Sequence, residues 1–325
     1  MLRCYLTFLF ISAYSFGFTQ LNWTNVDSLF QPLPKSIHVY KTTDSVDGKP
    51  NIAFYVIADL KDKTLDFTTD TTHKRRFTPL QFYQKNNQPL VVVNCTFFSF
   101  ETNQNLNVVI KNGRLAAHNA KTIKSPTDTS KRLKVYNSAI EIRKNRKADV
   151  AWIKTDSSNK YTFASQEPID PATKMGNWYA RQSTNSSTRG AVTTSSIDDQ
   201  FKKWKVKTAV GGGPVLLQNA QIKITNEEER MFAGKAINDK HPRTAMGYTA
   251  DGKLIILVIQ GRYPGVAEGA TLTQEAQIFK DLGCVEALNL DGGGSSCMLV
   301  NGKETITPSD KGMQRAIPAV FIIKK

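Results

Sequence analysis

The sequence predicts an α+β fold built on mixed, largely antiparallel sheets, with few helices and an active-site cleft where strands end. Short apolar runs recur along the chain, helical periodicity is confined to a few segments, and strands do not alternate regularly with helices. With 325 residues the chain is long enough for one large domain, or two intimately joined ones, around a substantial core.

Taken in order, residues 1–19 read as a signal peptide. Arg3 precedes an apolar core from Tyr5 to Phe18, and Ser15 and Gly17 supply small residues before the mature region. The run is short for a membrane anchor and no later segment approaches a spanning length, so an exported protein, periplasmic or extracellular, is expected. Residues 20–88 form an entry segment and N-terminal strands, with a strand over 51–60 and a short helix over 77–85 that begins near Thr78-Pro79. Further strands are expected over 90–94, 107–110, 135–142 and 150–153. The stretch 157–199 is rich in Ser, Thr and Asn, carries Pro168 and Pro171, and reads as a long loop excursion. One helix has a firm signature: Thr271 and Gln274 make a capping box, Leu272, Ala276, Phe279 and Leu282 recur at helical spacing, and Gly283 stops the run. Glu275 falls on its buried face, where a carboxylate is costly unless it is paired, with Arg243 or Arg262, or used in acid–base chemistry.

Two triple glycines stand out. In 287–302 an apolar run ends at Asp291, passes through Gly292, Gly293, Gly294, Ser295 and Ser296, and resumes at Met298. In 209–222 another strand–glycine–strand unit contains Gly211 to Pro214. Adjacent glycines weaken a strand, so they fit where the backbone needs φ > 0 or close approach, and a rim of N–H groups there suits an anion. A plain glycine hairpin is the simpler alternative. A third unit, 241–262, places Arg243-Thr244 before a strand, an Asp251-Gly252 hairpin turn and Gly261-Arg262 after the next strand. The fourth, 89–115, ends a very hydrophobic strand at Asn94.

In this order, Asn94 with Phe97 and Phe98, Gly211 to Pro214, Arg243-Thr244-Ala245, Gly261-Arg262, Glu275-Ala276, Leu288 to Ser296, and Arg315 with Pro318 resemble the phosphodiester glycosidase family. The resemblance spans roughly 91–323 and implies that residues 89–325 are a stand-alone catalytic domain, with Cys95-Thr96 and Gln260 as departures from the family's pattern. It implies a hydrolase that removes an N-acetylglucosamine-like sugar from a sugar-1-phosphodiester. Such chemistry passes through an oxocarbenium-like transition state with phosphate as leaving group. Asp291 and Glu275 are then the catalytic candidates. Asn94, Arg243, Thr244, Arg262, Gly292, Gly293, Gly294, Ser295 and Arg315 are the substrate-binding candidates, the arginines because their forks match phosphate oxygens.

The remaining composition narrows the class. Three cysteines follow the signal segment, Cys95, Cys284 and Cys297, so at most one disulfide forms within the chain; Cys284 and Cys297 either pair or pack as small apolar residues. His38, His73, His118 and His241 show no ligand spacing, so neither a zinc site nor any other cofactor is expected, with an oxygen-ligated divalent cation left open. The net charge is +15, and much of the excess lies over 121–147, where neither a recognition module nor interleaved aromatics suggest nucleic acid; a solvated surface or the steering of an anionic glycan accounts for it. Neither glycine cluster precedes Lys-Ser or Lys-Thr, which excludes a P-loop. A serine hydrolase is disfavoured because Ser295-Ser296 lacks the nucleophile-elbow glycine and every histidine precedes it. The rival class is a non-catalytic glycan-binding or exopolysaccharide-assembly protein, which released sugar would distinguish.

Overall fold

The computed structural model describes residues 20–125, 128–156, 161–169 and 200–325. The expected signal peptide and most of the expected 157–199 loop lie outside these residues. Three sheets enclose one core, and every strand pairing in them is antiparallel among the described residues. The first sheet has eight strands in the order Thr24–Asn25, Ile37–Thr42, Ala53–Asp59, Lys253–Ile259, Arg243–Thr249, Cys284–Asn289, Val215–Gln218 and Gln221–Ile222. The second has seven, with Ala148–Thr155, Ser138–Ile142, Thr208–Gly211 and Val109–Lys111 adjacent in that order. The third has five, with Val91–Asn94 between Met298–Val300 and Ala319–Lys324.

Each sheet turns one face inward. Val56, Val258, Met246 and Leu288 of the first, Ile140, Val150 and Val210 of the second, and Val93, Met298 and Phe321 of the third share the central cluster. Strands that precede residue 88 are thus woven into the same sheets as those that follow it. The outer face of the first sheet is covered by the helix Leu272–Asp281, whose Leu272, Ala276 and Phe279 are fully buried. Its capping box forms as expected, and Gly283 stops the run at φ +77°. The helix Pro79–Lys85 likewise begins on a Thr78 capping box and buries Phe82 against the third sheet.

The Asp251-Gly252 turn closes a hairpin between Arg243–Thr249 and Lys253–Ile259. The triple glycines do not make hairpins. Gly211 to Pro214 carries the chain from the second sheet to the first, and Asp291 to Cys297 carries it from the first to the third. The two crossings touch: Gly213 N–H donates to the Asn289 carbonyl at 2.8 Å, and Asn289 Nδ2 donates to the Gly213 carbonyl at 2.7 Å. A Cβ on Gly212 would lie 2.3 Å from that Asn289 oxygen, so close backbone approach accounts for the glycine. Cys284 and Cys297 are both buried and unbonded, one within the first sheet and the other entering the third; the disulfide alternative therefore gives way to packing.

Candidate active site

Where the strand Cys284–Asn289 leaves the first sheet, Leu290 N–H donates to the Thr244 carbonyl and Asp291 N–H to the Cys95 carbonyl, both at 2.8 Å. Asn94 clamps this crossing. Its Nδ2 donates to the Asp291 carbonyl at 2.5 Å, while its Oδ1 accepts the Thr244 hydroxyl at 2.9 Å and the Cys297 N–H at 3.0 Å. Asn94 and Thr244 are buried, so the expected contact of these side chains with a sugar is replaced by a positioning role: they hold the Asp291 loop across two sheets.

The Asp291 carboxyl is half-buried. Burial pushes it up to about 7, against the opposing influence of the Ser295 hydroxyl, the Arg315 charge and the Gly292 backbone. Arg262 and Arg315 lie against the same loop. A Cβ on Gly294 would stand 2.1 Å from Arg315 Nη2, and one on Gly293, at φ +61°, 3.0 Å from Arg262 Nη2. Glycine at both positions is therefore what allows two guanidinium groups to approach the loop so closely. Arg315 is anchored through Nε to Asp310 at 2.9 Å, with Nη1 3.5 Å from Ser295 Oγ. The expected rim of free N–H donors is partly spent: Gly293 N–H donates to the Pro242 carbonyl at 2.8 Å and Ser295 N–H to the Gly292 carbonyl at 3.2 Å. The two arginines are thus the cations set against this loop.

Arg243 departs from its expected part. It is buried, with Nε on the Ala270 carbonyl at 2.8 Å and Nη2 on the Asp239 carbonyl at 3.1 Å, so its fork is turned to backbone instead of phosphate. Burial lowers its proton affinity, with the Glu275 charge opposing. Glu275 is sealed behind it: 0% exposed, with no hydrogen bond to either carboxyl oxygen. Burial pushes Glu275 up to about 8, and the Arg243 charge opposes that rise. Of the two arginines offered as partners for Glu275, the structure selects Arg243, through space. Its buried carboxyl makes no contact with solvent, which leaves Asp291 as the accessible carboxyl.

Three neighbours escaped the sequence reading as site residues. His241 Nδ1 is buried without a partner, and burial followed by the charges of Arg243 and Arg262 lowers its pKa, favouring a neutral ring; its position two residues before Arg243 was the available signal. Phe100 is exposed, with Arg76 and Arg315 each 5.4 Å from its ring centroid, a cation–π contact across sequence-distant segments that no local pattern encodes. Glu229, fully buried, accepts from the Ser138 N–H and hydroxyl at 2.8 and 2.7 Å and from the Val215 N–H at 3.0 Å, and so braces the first glycine crossing. Among the described residues no group of three or more His, Cys, Asp or Glu is arranged to hold a metal ion.

Known proteins share part of this sequence and its fold. A family model described as phosphodiester glycosidase matches residues 174–324. A prophage-derived protein of Bacillus subtilis is 42% identical over 81 residues, which are 25% of this chain and 12% of that one. The mouse N-acetylglucosamine-1-phosphodiester alpha-N-acetylglucosaminidase is 30% identical over 102 residues, 31% of this chain and 19% of the mouse protein. The aligned segments thus span less than a fifth of these relatives' length. The fold is shared with the catalytic domain of the zebrafish enzyme of the same name, at a TM-score of 0.55 and 20% identity over 94% of this chain and 89% of that one. A hypothetical protein from Synechocystis gives a TM-score of 0.58 at 13% identity, over 93% of this chain and 63% of that one. Over residues 174–324, just under half of its length, the chain therefore resembles the phosphodiester glycosidase family.

Proposed function

We propose that the protein is an exported hydrolase that cleaves an N-acetylglucosamine-like sugar from a sugar-1-phosphodiester. The observation that carries this reading is one loop bearing a half-buried carboxyl, Asp291, with the guanidinium groups of Arg262 and Arg315 against its next glycines. The arginines hold the phosphate oxygens, as permanently charged planar forks do. With a pKa of about 7, Asp291 is substantially ionised at neutral pH and accepts the proton of a water that attacks the anomeric carbon. The bond from that carbon to the phosphate oxygen breaks, its electron pair leaving with the phosphate monoester, whose charge the arginines stabilise. A phosphate monoester leaves well without a strong general acid, which agrees with Glu275 being sealed away. Asn94 and Thr244 act by placing the loop. Export rests on the charged, apolar and small-residue pattern of residues 1–19; among the described residues no helix is long and apolar enough to cross a membrane.

The test is hydrolysis of an α-N-acetylglucosaminyl phosphodiester in ¹⁸O water. Label is expected in the released sugar and not in the phosphate monoester, with controls for exchange through the sugar's open-chain form. The Asp291→Asn variant is expected to fold and release no sugar. Label in phosphate would mean attack at phosphorus and would overturn the assignment.

A further inference from the structure

The basic stretch 121–147 ends in the hairpin that joins Ser138–Ile142 to Ala148–Thr155, and this hairpin walls a surface cavity of about 630 Å³. Arg143, Lys144, Lys203 and Lys205 line it, together with Tyr161 and Trp204, and no carboxylate does. Lys144, Lys203 and Lys205 are exposed, and none of them is in an ion pair among the described residues. Arg143 differs: Glu141 and Asp149 hold it and fix that wall. Tyr161 is 47% exposed with the Lys203 ammonium 3.8 Å from its ring centroid, while Trp204 is buried and its indole N–H has no acceptor. A row of exposed cations without ion pairs beside an aromatic ring, over an apolar wall, suits a ligand that alternates negative charge with flat apolar faces.

One strand links the wall of the groove to the first glycine crossing. The strand Ser138–Ile142 starts where the Ser138 carbonyl accepts the Gly212 N–H at 3.0 Å and ends at Arg143. Five residues of strand place the groove roughly 16 Å from the glycine crossing.

We propose that this groove is an accessory subsite for an anionic, phosphodiester-containing glycan chain, holding a stretch that flanks the unit cleaved at Asp291. The proposal rests on the function proposed above and extends it from a small diester to a polymer. Single-stranded nucleic acid presents similar charge, but it is held by stacking successive bases on several rings, and this groove lines itself with a single exposed ring, Tyr161.

Binding is measured by calorimetry on the full chain carrying Asp291→Asn, so that no turnover intervenes, with a synthetic poly(N-acetylglucosamine 1-phosphate) as probe. The polymer is expected to bind at least tenfold more tightly than a single-unit diester. Adding Lys144→Glu, Lys203→Glu and Lys205→Glu together is expected to abolish that gain, and Tyr161→Ala to remove part of it. In the Asp291-containing protein the triple change raises KM for the polymer at least tenfold and leaves kcat and KM for the single-unit diester unchanged. Polymer and single unit binding alike, or a triple variant that keeps the gain, overturns the groove while leaving single-unit hydrolysis and the role of Asp291 intact. Conversely, lysine-dependent binding of the polymer with no sugar released from any diester refutes the hydrolase reading and leaves the groove a glycan site. Equal affinity for dextran sulfate, or tighter binding of single-stranded DNA, makes the surface a general polyanion or nucleic-acid site and overturns the proposal.

Discussion

Glu275→Gln tests the electrostatics beneath the site most directly. The wild-type carboxyl is fully buried, without hydrogen bonds, and pushed up to about 8 from an ordinary value near 4.5, with Arg243 only partly offsetting burial. A carboxyl that holds its proton more tightly in the folded state binds more protons folded than unfolded between these two values, so stability falls as pH rises through that window. At about 1.4 kcal/mol per pH unit, the loss is on the order of 3 kcal/mol by pH 7 and 4–5 kcal/mol above pH 8, as upper bounds. Glutamine keeps the shape and cannot ionise. Relative to wild type, Glu275→Gln is therefore expected to gain little at pH 4.5 and several kcal/mol at pH 9. Urea unfolding at pH 4.5, 7 and 9, with equal m-values, reads the difference. A stability difference that is the same at all three pH values would show that Glu275 titrates normally, and the account of a sealed, unpaired carboxyl would fail.

The remaining predictions concern the loop. With Asp291 at about 7, kcat/KM for the diester is expected to rise about tenfold per pH unit below pH 6 and to level above pH 8; removing the opposing charge by Arg315→Met moves this rise to higher pH, and a flat profile between pH 5 and 8 contradicts a proton-accepting Asp291. Gly294→Ala forces Arg315 from its position 2.1 Å from the new Cβ, so kcat/KM is expected to fall about 10- to 100-fold with little change in far-UV circular dichroism; full activity would remove Arg315 from the site. Asn94→Ala strands the Thr244 hydroxyl, the Cys297 N–H and the Asp291 carbonyl, and is expected to cost about 2–5 kcal/mol in denaturant unfolding; a cost below about 1 kcal/mol would mean that Asn94 does not clamp the crossing.

Local chemistry made much of this protein legible in its sequence. The capping boxes at Thr78 and Thr271, the stop at Gly283, the Asp251-Gly252 hairpin and the apolar strand before Asn94 are all set by neighbours within a few residues, and each forms. Asp291, the glycines and the arginines stood out as candidates because glycine and a permanent cation have few substitutes in the kind of site proposed. What each polar side chain faces was not. Asn94 and Arg243 carry the same chemical groups whether they meet a sugar phosphate or a backbone carbonyl, and only the crossing of three sheets turned both inward. In the same way, a triple glycine reads alike as a hairpin and as a passage between sheets, because its local φ/ψ freedom suits either. The choice fell to long-range packing: Asn289 oxygen against Gly212, Arg315 against Gly294, and Glu275 under Arg243 join residues 21 to 77 positions apart, and such contacts have no period for a sequence to display.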